Sequence, residues 1–302
     1  MHIPDGFLST PVWATLNAAS LPAVGLMARR ARVHEEDSRI PLLGTLGAFV
    51  FAAQMVNFPV GAGTSGHLVG GTLLACTLGP ASAGLVMTAV LVVQAFLFQD
   101  GGVLALGANV VSMAVLGVLA GYLPYQLWGG GRGRRVAIFL GGTFSVLTSA
   151  AAALAFLFLS GITLPPALMR LPLALFLVTG LLEGLITVLV IEAIERIDPN
   201  WIRQPDRSRT PAVAFLGVAA LVLACGGFAV ASSYPDGLTR LGSELGLAER
   251  AVALFSTPLA DYQATFPGAE WLQRIAAGIA GLSAAFLLCM AAGRLLAARK
   301  RA

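Results

Sequence analysis

Residues 172–194 read PLALFLVTGLLEGLITVLVIEAI, an apolar run whose only acids are Glu183 near its middle and Glu192 at its end. A helix that crosses a bilayer needs roughly 20 such residues. Eight more apolar segments accompany it, at about 10–28, 40–58, 67–79, 82–98, 103–123, 136–159, 211–231 and 271–293. The whole chain agrees with this pattern. Of its 302 residues 57% are hydrophobic and 11% charged, with a mean hydropathy of +0.82. Soluble domains carry about 25% charged residues, so lipid is the expected solvent. The 35 glycines suit close helix packing in a bilayer. The expected fold class is an all-α polytopic membrane protein with about nine transmembrane helices.

Charge orients the spans. With nine crossings the termini lie on opposite sides. The loops at 29–39, 124–135 and 195–210, with the tail from Arg294, hold every Lys and Arg except Arg170, Arg240, Arg250 and Arg274. By the positive-inside rule that set is cytoplasmic. The N-terminus and His67 then face outward and the C-terminus inward. The net charge of +4 gives no reason to expect nucleic acid. A polar, basic, Pro-containing stretch at 198–210 reads as a cytoplasmic linker. It divides seven helices in 1–197 from two in 211–302, the latter separated by an outer loop at 232–270. Within that loop Leu238, Leu241, Leu245, Val252 and Phe255 suggest an amphipathic helix, lying on the membrane surface or covering a site on the first unit.

The third segment is short. It follows the glycines of Gly61, Gly63, Gly66, Gly70 and Gly71, and ends at Gly79-Pro80. Irregular backbone at membrane depth is tolerated only where protein or a cavity satisfies it, so such segments border binding sites. Cys76, Cys225 and Cys289 fall in apolar runs without ligand spacing and read as packing residues. Arg29, Arg30 and Arg32 follow the first apolar stretch, whereas a signal peptide has its positive charge before it. Met1 to Phe7 are therefore expected in the mature protein.

Three histidines occur. His34 sits in a charged cytoplasmic loop and reads as solvated. His2 is different. The Met1 α-amine, the His2 peptide nitrogen and His2 Nδ1 can close consecutive chelate rings on one metal, and an imidazole from elsewhere completes a square. Planar nitrogen donors favour Ni(II) or Cu(II), and imidazole also suits Co(II). Taken alone, a histidine at position 2 is more often a surface residue. His67 shifts the balance, because an ionisable group near membrane depth on the same side is a functional candidate. Asn57, Thr64 and Ser65 are candidate partners that orient His67. Pro4-Asp5-Gly6 reads as a turn after the chelate, and Pro235-Asp236-Gly237 repeats it. Glu183 is expected to be protonated or bonded to another helix rather than to hold a metal, and Gln54, Gln94 and Asn109 to act as interhelical glue.

Met1-His2-Ile3-Pro4-Asp5-Gly6-Phe7-Leu8-Ser9 resembles the N-terminal signature of the CbiM/NikM family, the substrate-specific components of nickel and cobalt energy-coupling factor transporters. Asn57 to His67 is similar to the family's second signature stretch. Tyr234-Pro235-Asp236-Gly237-Leu238 resembles the small NikN or PDGLE-type component fused to some members, although Thr239 stands where Glu is usual. The resemblance covers nearly the whole chain. It implies that Ni(II) or Co(II) is the transported ligand, with no other cofactor, and that Met1, His2 and His67 hold it. It also implies a transmembrane coupling subunit and cytoplasmic ATPases as partners, in a bacterial or archaeal cell membrane.

No Gly-x-x-x-x-Gly-Lys-Ser/Thr stretch occurs. Energy for active transport would come from partners, and the chain is not expected to be an enzyme. Two rival readings remain. Gly63-Thr64-Ser65-Gly66 fits an intramembrane serine protease, which would need a base on another helix. An ion-driven carrier would need embedded carboxylates, and Glu183 is the single candidate.

Overall fold

The computed structural model describes residues 1–31, 40–61, 63–197, 210–251 and 254–301. The loop with His34 and nearly all of the 198–210 linker lie outside the described residues. Ten helices follow one another: α1 (Thr10–Arg30), α2 (Ile40–Met55), α3 (Gly71–Leu78), α4 (Pro80–Phe98), α5 (Leu106–Trp128), α6 (Arg134–Leu159), α7 (Pro166–Ile197), α8 (Thr210–Gly226), α9 (Gly237–Glu244) and α10 (Glu270–Arg301). Among the described residues α4, α5, α6, α7, α8 and α10 are long and apolar enough to cross a membrane. The α2 helix is apolar but shorter, and α1 has the length but carries Asn17, Ser20 and Pro22.

Every hydrophobic segment expected from the sequence becomes helical, but the third is no full span. At eight residues α3 is about 12 Å long, against roughly 30 Å of hydrocarbon. A hairpin precedes it, with β1 (Phe58–Gly61) antiparallel to β2 (Thr64–Gly66). Extended chain from β2 to Gly70 then leads into α3. The expected crossing is thus shared between extended backbone and a half-length helix, and the all-helical expectation gains this two-stranded exception.

The packing is that of a protein in lipid. On α7, Leu173, Leu177, Leu181, Leu185 and Leu189 recur every four residues and are between 42% and 57% exposed. Its other face buries Phe176, Gly180, Glu183, Gly184 and Thr187. Small residues bring α6 and α7 together: a Cβ on Gly142 would lie 2.6 Å from Gly184 Cα. The α2 helix is buried nearly all round and stands at the centre. The C-terminal helices α8 and α10 pack directly on it, with Cys289 Sγ 2.5 Å from where a Gly47 Cβ would sit. Cys76 and Cys289 are buried and all three cysteines are free.

At one end of the bundle Arg134 pairs with Glu195 at 2.6 Å and Arg135 with Glu192 at 2.5 Å, joining the start of α6 to the end of α7. Among the described residues the amphipathic pattern of the outer loop forms only the short α9, and Val252 lies outside them. The α9 helix ends at Glu244, burying Leu238 and Leu241, while Phe255 lies beyond it and is 39% exposed. A Cβ on Gly242 would meet the Phe7 ring at 2.4 Å. Of the two placements open to the loop, the one over the first unit is observed.

Candidate metal centre

The first nine residues form no regular element, yet Met1, His2, Ile3, Asp5, Phe7 and Leu8 are all buried. Buried backbone must find partners, and here they come from the loop before α5 and from α5 itself. Asn109 Oδ1 accepts from Ile3 N at 2.8 Å, and its Nδ2 donates to the Ile3 carbonyl at 3.1 Å. Gly102 N donates to the same carbonyl at 2.8 Å. The Asp5 carboxylate accepts from Val103 N at 2.9 Å and Ala105 N at 3.1 Å, which places its charge at the positive end of α5. Gly6 turns the chain with φ +89°, and a Cβ there would sit 1.8 Å from the Arg250 carbonyl oxygen. Widened helical turns at Gln94–Phe98 and Val110–Gly117 flank the loop and Asn109.

This seat carries the Met1 amine to His67. The amine nitrogen lies 2.6 Å from His67 Nε2. His67 Nδ1 lies 2.9 Å from the Leu68 carbonyl and donates to it, which leaves the lone pair on Nε2, facing the amine. The rings of His2 and His67 stack in parallel, 5.2 Å between centroids and 1° between planes. Two acids close the arrangement. The Asp236 carboxylate forms an ion pair with the Met1 amine, and also caps α9 by accepting from Thr239 N at 2.7 Å. Asp100 lies 3.0 Å from His2 Nδ1 and accepts from the Tyr262 hydroxyl at 2.5 Å.

Both acids titrate low. Burial alone would raise the Asp236 carboxyl, but the amine, His67 and the Thr239 N–H outweigh it and hold it below the usual range. Burial likewise opposes ionisation of Asp100, and His2 and Tyr262 overcome it. The Tyr262 hydroxyl is pushed well above its ordinary value by burial and by the Asp100 charge. Asn109→Ala would leave the Ile3 N–H buried without a partner, costing about 1–3 kcal/mol. A lower thermal midpoint and faster hydrogen exchange at residues 2–5 are the expected readouts.

The family described as CbiM, cobalt uptake substrate-specific transmembrane region, matches residues 2–201. The chain belongs to the CbiM family. An Archaeoglobus fulgidus relative, whose name puts it among the fused nickel transport proteins (NikMN), is 34% identical over 290 residues, 93% of this chain and 94% of that one. A Haloquadratum walsbyi relative named for metal transport is 47% identical over 128 residues, and the match spans 59% of its length. A crystal structure of a truncated transition metal transporter superposes with a TM-score of 0.58 at 33% identity, covering 65% of this chain and 99% of that one.

In this CbiM-family chain Met1, His2 and His67 lie next to one another. The accessory residues fall differently. Ser65 Oγ donates to the Tyr234 carbonyl at 2.7 Å and Ser65 N to Pro235 O at 2.9 Å. Thr64 accepts from Arg240 at 3.0 Å, and the Asn57 carbonyl accepts from Ser232 N at 2.7 Å. These three residues fasten the outer loop, and the imidazole of His67 is engaged by Leu68 and Met1 instead. Ser65 Oγ bonds the Tyr234 carbonyl and the His67 nitrogens meet Leu68 O and the Met1 amine, so the two are not hydrogen-bonded as a nucleophile–base pair. The chelate envisaged for His2 uses Nδ1, yet Nδ1 faces Asp100 and Nε2 is the nitrogen left buried without a hydrogen bond.

Sequence reasoning passed over Asp100 and took Asp236 for a turn residue. Both are acids in outward loops that carry few charges, and that scarcity was the available signal. Asn109, expected between helices, instead holds the N-terminal backbone. Gln94 Nε2 donates to Gln54 Oε1 at 2.8 Å, which is the interhelical bond expected of that pair. Among the described residues no three His, Cys, Asp or Glu side chains gather in the manner of a metal site.

Proposed function

We propose that this chain is the substrate-binding membrane subunit of an ATP-driven energy-coupling factor transporter that imports Ni(II) or Co(II). The ion would be held by the Met1 amine, the His2 amide and Nδ1, and His67 Nε2. The observation that carries this reading is the approach of the Met1 amine to His67 Nε2 with the His2 ring stacked alongside. Side chains alone do not assemble a site among the described residues, so main-chain nitrogen is needed to complete one, and planar nitrogen sets suit Ni(II). For His2 Nδ1 to join, the ring must leave Asp100. The deciding experiment is metal analysis of the purified protein with its native N-terminus, followed by Ni(II)/Co(II) competition. Protein that takes up neither ion at micromolar concentration would sink the reading.

In this proposal 1–197 holds the ion, 198–210 is the cytoplasmic linker, and 211–302 is a NikN-like unit whose outer loop closes over the site. The name of the A. fulgidus relative supports a fused organisation. The partners are a transmembrane coupling subunit and cytoplasmic ATPases, in the cell membrane of a bacterium or archaeon. Deleting 211–302 is expected to reduce uptake more than membrane expression, measured as metal accumulation per immunodetected protein. Equal uptake by the truncated chain would count against this division. Uptake that survives loss of the ATPases would favour an ion-driven carrier. Glu183 lends that alternative little, because both its oxygens are engaged by backbone N–H groups.

A further inference from the structure

We infer that Glu183 of α7, with Gln54 of α2, is the positioning residue that sets where His67 presents Nε2 to the ion. This rests on the metal-site reading and adds residues remote from the donors. Glu183 is fully buried, in the middle of its span. A charge at that depth is costly and needs a reason. Its Oε2 accepts from Val69 N and its Oε1 from Gly70 N, each at 2.8 Å. Gln54 Nε2 donates to the Val69 carbonyl at 2.7 Å, and Gln94 fixes Gln54 in turn. Two helices, α7 and α2, thus grip two consecutive peptides just beyond His67, and α4 steadies the second of them through Gln94.

The grip acts on His67 through Leu68, whose carbonyl receives the Nδ1–H and fixes the ring's tautomer and orientation. Residues 67–70 lie between β2 and α3, outside any regular element, and have no hydrogen-bond ladder of their own. The bidentate carboxylate supplies what the missing ladder would. It also sits at the amino end of α3, where negative charge is favoured. Gly70 has φ +79°, with Val50 packed where its Cβ would be, so the strand cannot slide past this point.

The test uses the full-length protein with its native N-terminus in detergent. Ni(II) affinity is measured by equilibrium dialysis and the bound ion's ligand-field absorption is recorded. Glu183→Asp keeps the charge but is one methylene too short to reach both amides. Glu183→Gln keeps the length but turns an NH2 group toward an N–H. Both are expected to weaken binding 10- to 100-fold and to alter the absorption of the bound ion. Gln54→Met should act in the same direction with a smaller effect, and it decides the matter if the Glu183 variants do not fold. Wild-type protein that binds no Ni(II), or variant His67→Ala that binds it unchanged, would remove the metal-site reading and this role with it. Wild-type binding through His67, with the Glu183 and Gln54 variants matching it in affinity and absorption, would overturn the positioning role alone. A residue serving stability only would lower the thermal midpoint and leave the folded fraction's affinity and spectrum unchanged.

Discussion

A single residue added before Met1 is expected to abolish Ni(II) binding. The extension converts the amine to an amide and moves the new amine by up to about 3.5 Å. Met1 is 6% exposed, its nitrogen already packed between His67 and Asp236, so the added residue has no room beside it. Asp236 would also lose its cation, and an uncompensated buried charge costs about 3–5 kcal/mol. A loss on the order of 1,000-fold in affinity, equivalent to about 4 kcal/mol, follows. Titration calorimetry on protein whose N-terminus has been verified by mass spectrometry would measure it. Affinity within a few-fold of the unextended protein would exclude the amine as a donor.

His67→Ala should give the second largest effect, on the order of 100-fold, or about 2.7 kcal/mol. The variant removes one of the proposed donors and the stacking partner of His2, but leaves the amine and the His2 nitrogens. Residual binding is therefore expected, with the absorption of a three-nitrogen site plus water. The two variants should combine without further loss, since extension alone already removes the chelate. A His67→Ala protein with wild-type affinity would remove His67 from the donor set and with it the proposed site.

Much of this architecture was legible in the sequence because membrane burial is written in composition. The apolar runs located the helices, and the basic loops matched their parity. His2 and His67 could be paired because the charge rule assigns both to the same side in a chain with only three histidines. Other features leave no such trace. The shortness of α3 was legible in its glycines and in Gly79-Pro80, but the Glu183 carboxylate that meets the Val69 and Gly70 amides from 113–114 residues away was not. Proximity along the chain suggests Thr64 and Ser65 as partners of His67, but their hydrogen bonds are with Arg240, Tyr234 and Pro235, residues distant in sequence that no local pattern points to. Asp236 looked like a turn residue because its local role, capping α9, is the one that sequence reports. Its second role depends on the N-terminus arriving from 235 residues away.

That separation has a consequence for biogenesis. The ionic partner of Met1 is polymerised 235 residues after it. At 5–20 residues per second the delay is on the order of ten seconds or more. Maturation of the pocket is thus a late, long-range closure rather than an early local one. A ribosome that stalls before residue 236 would leave a leading end that can still bond Asn109 and the loop before α5 but whose amine lacks the Asp236 carboxylate.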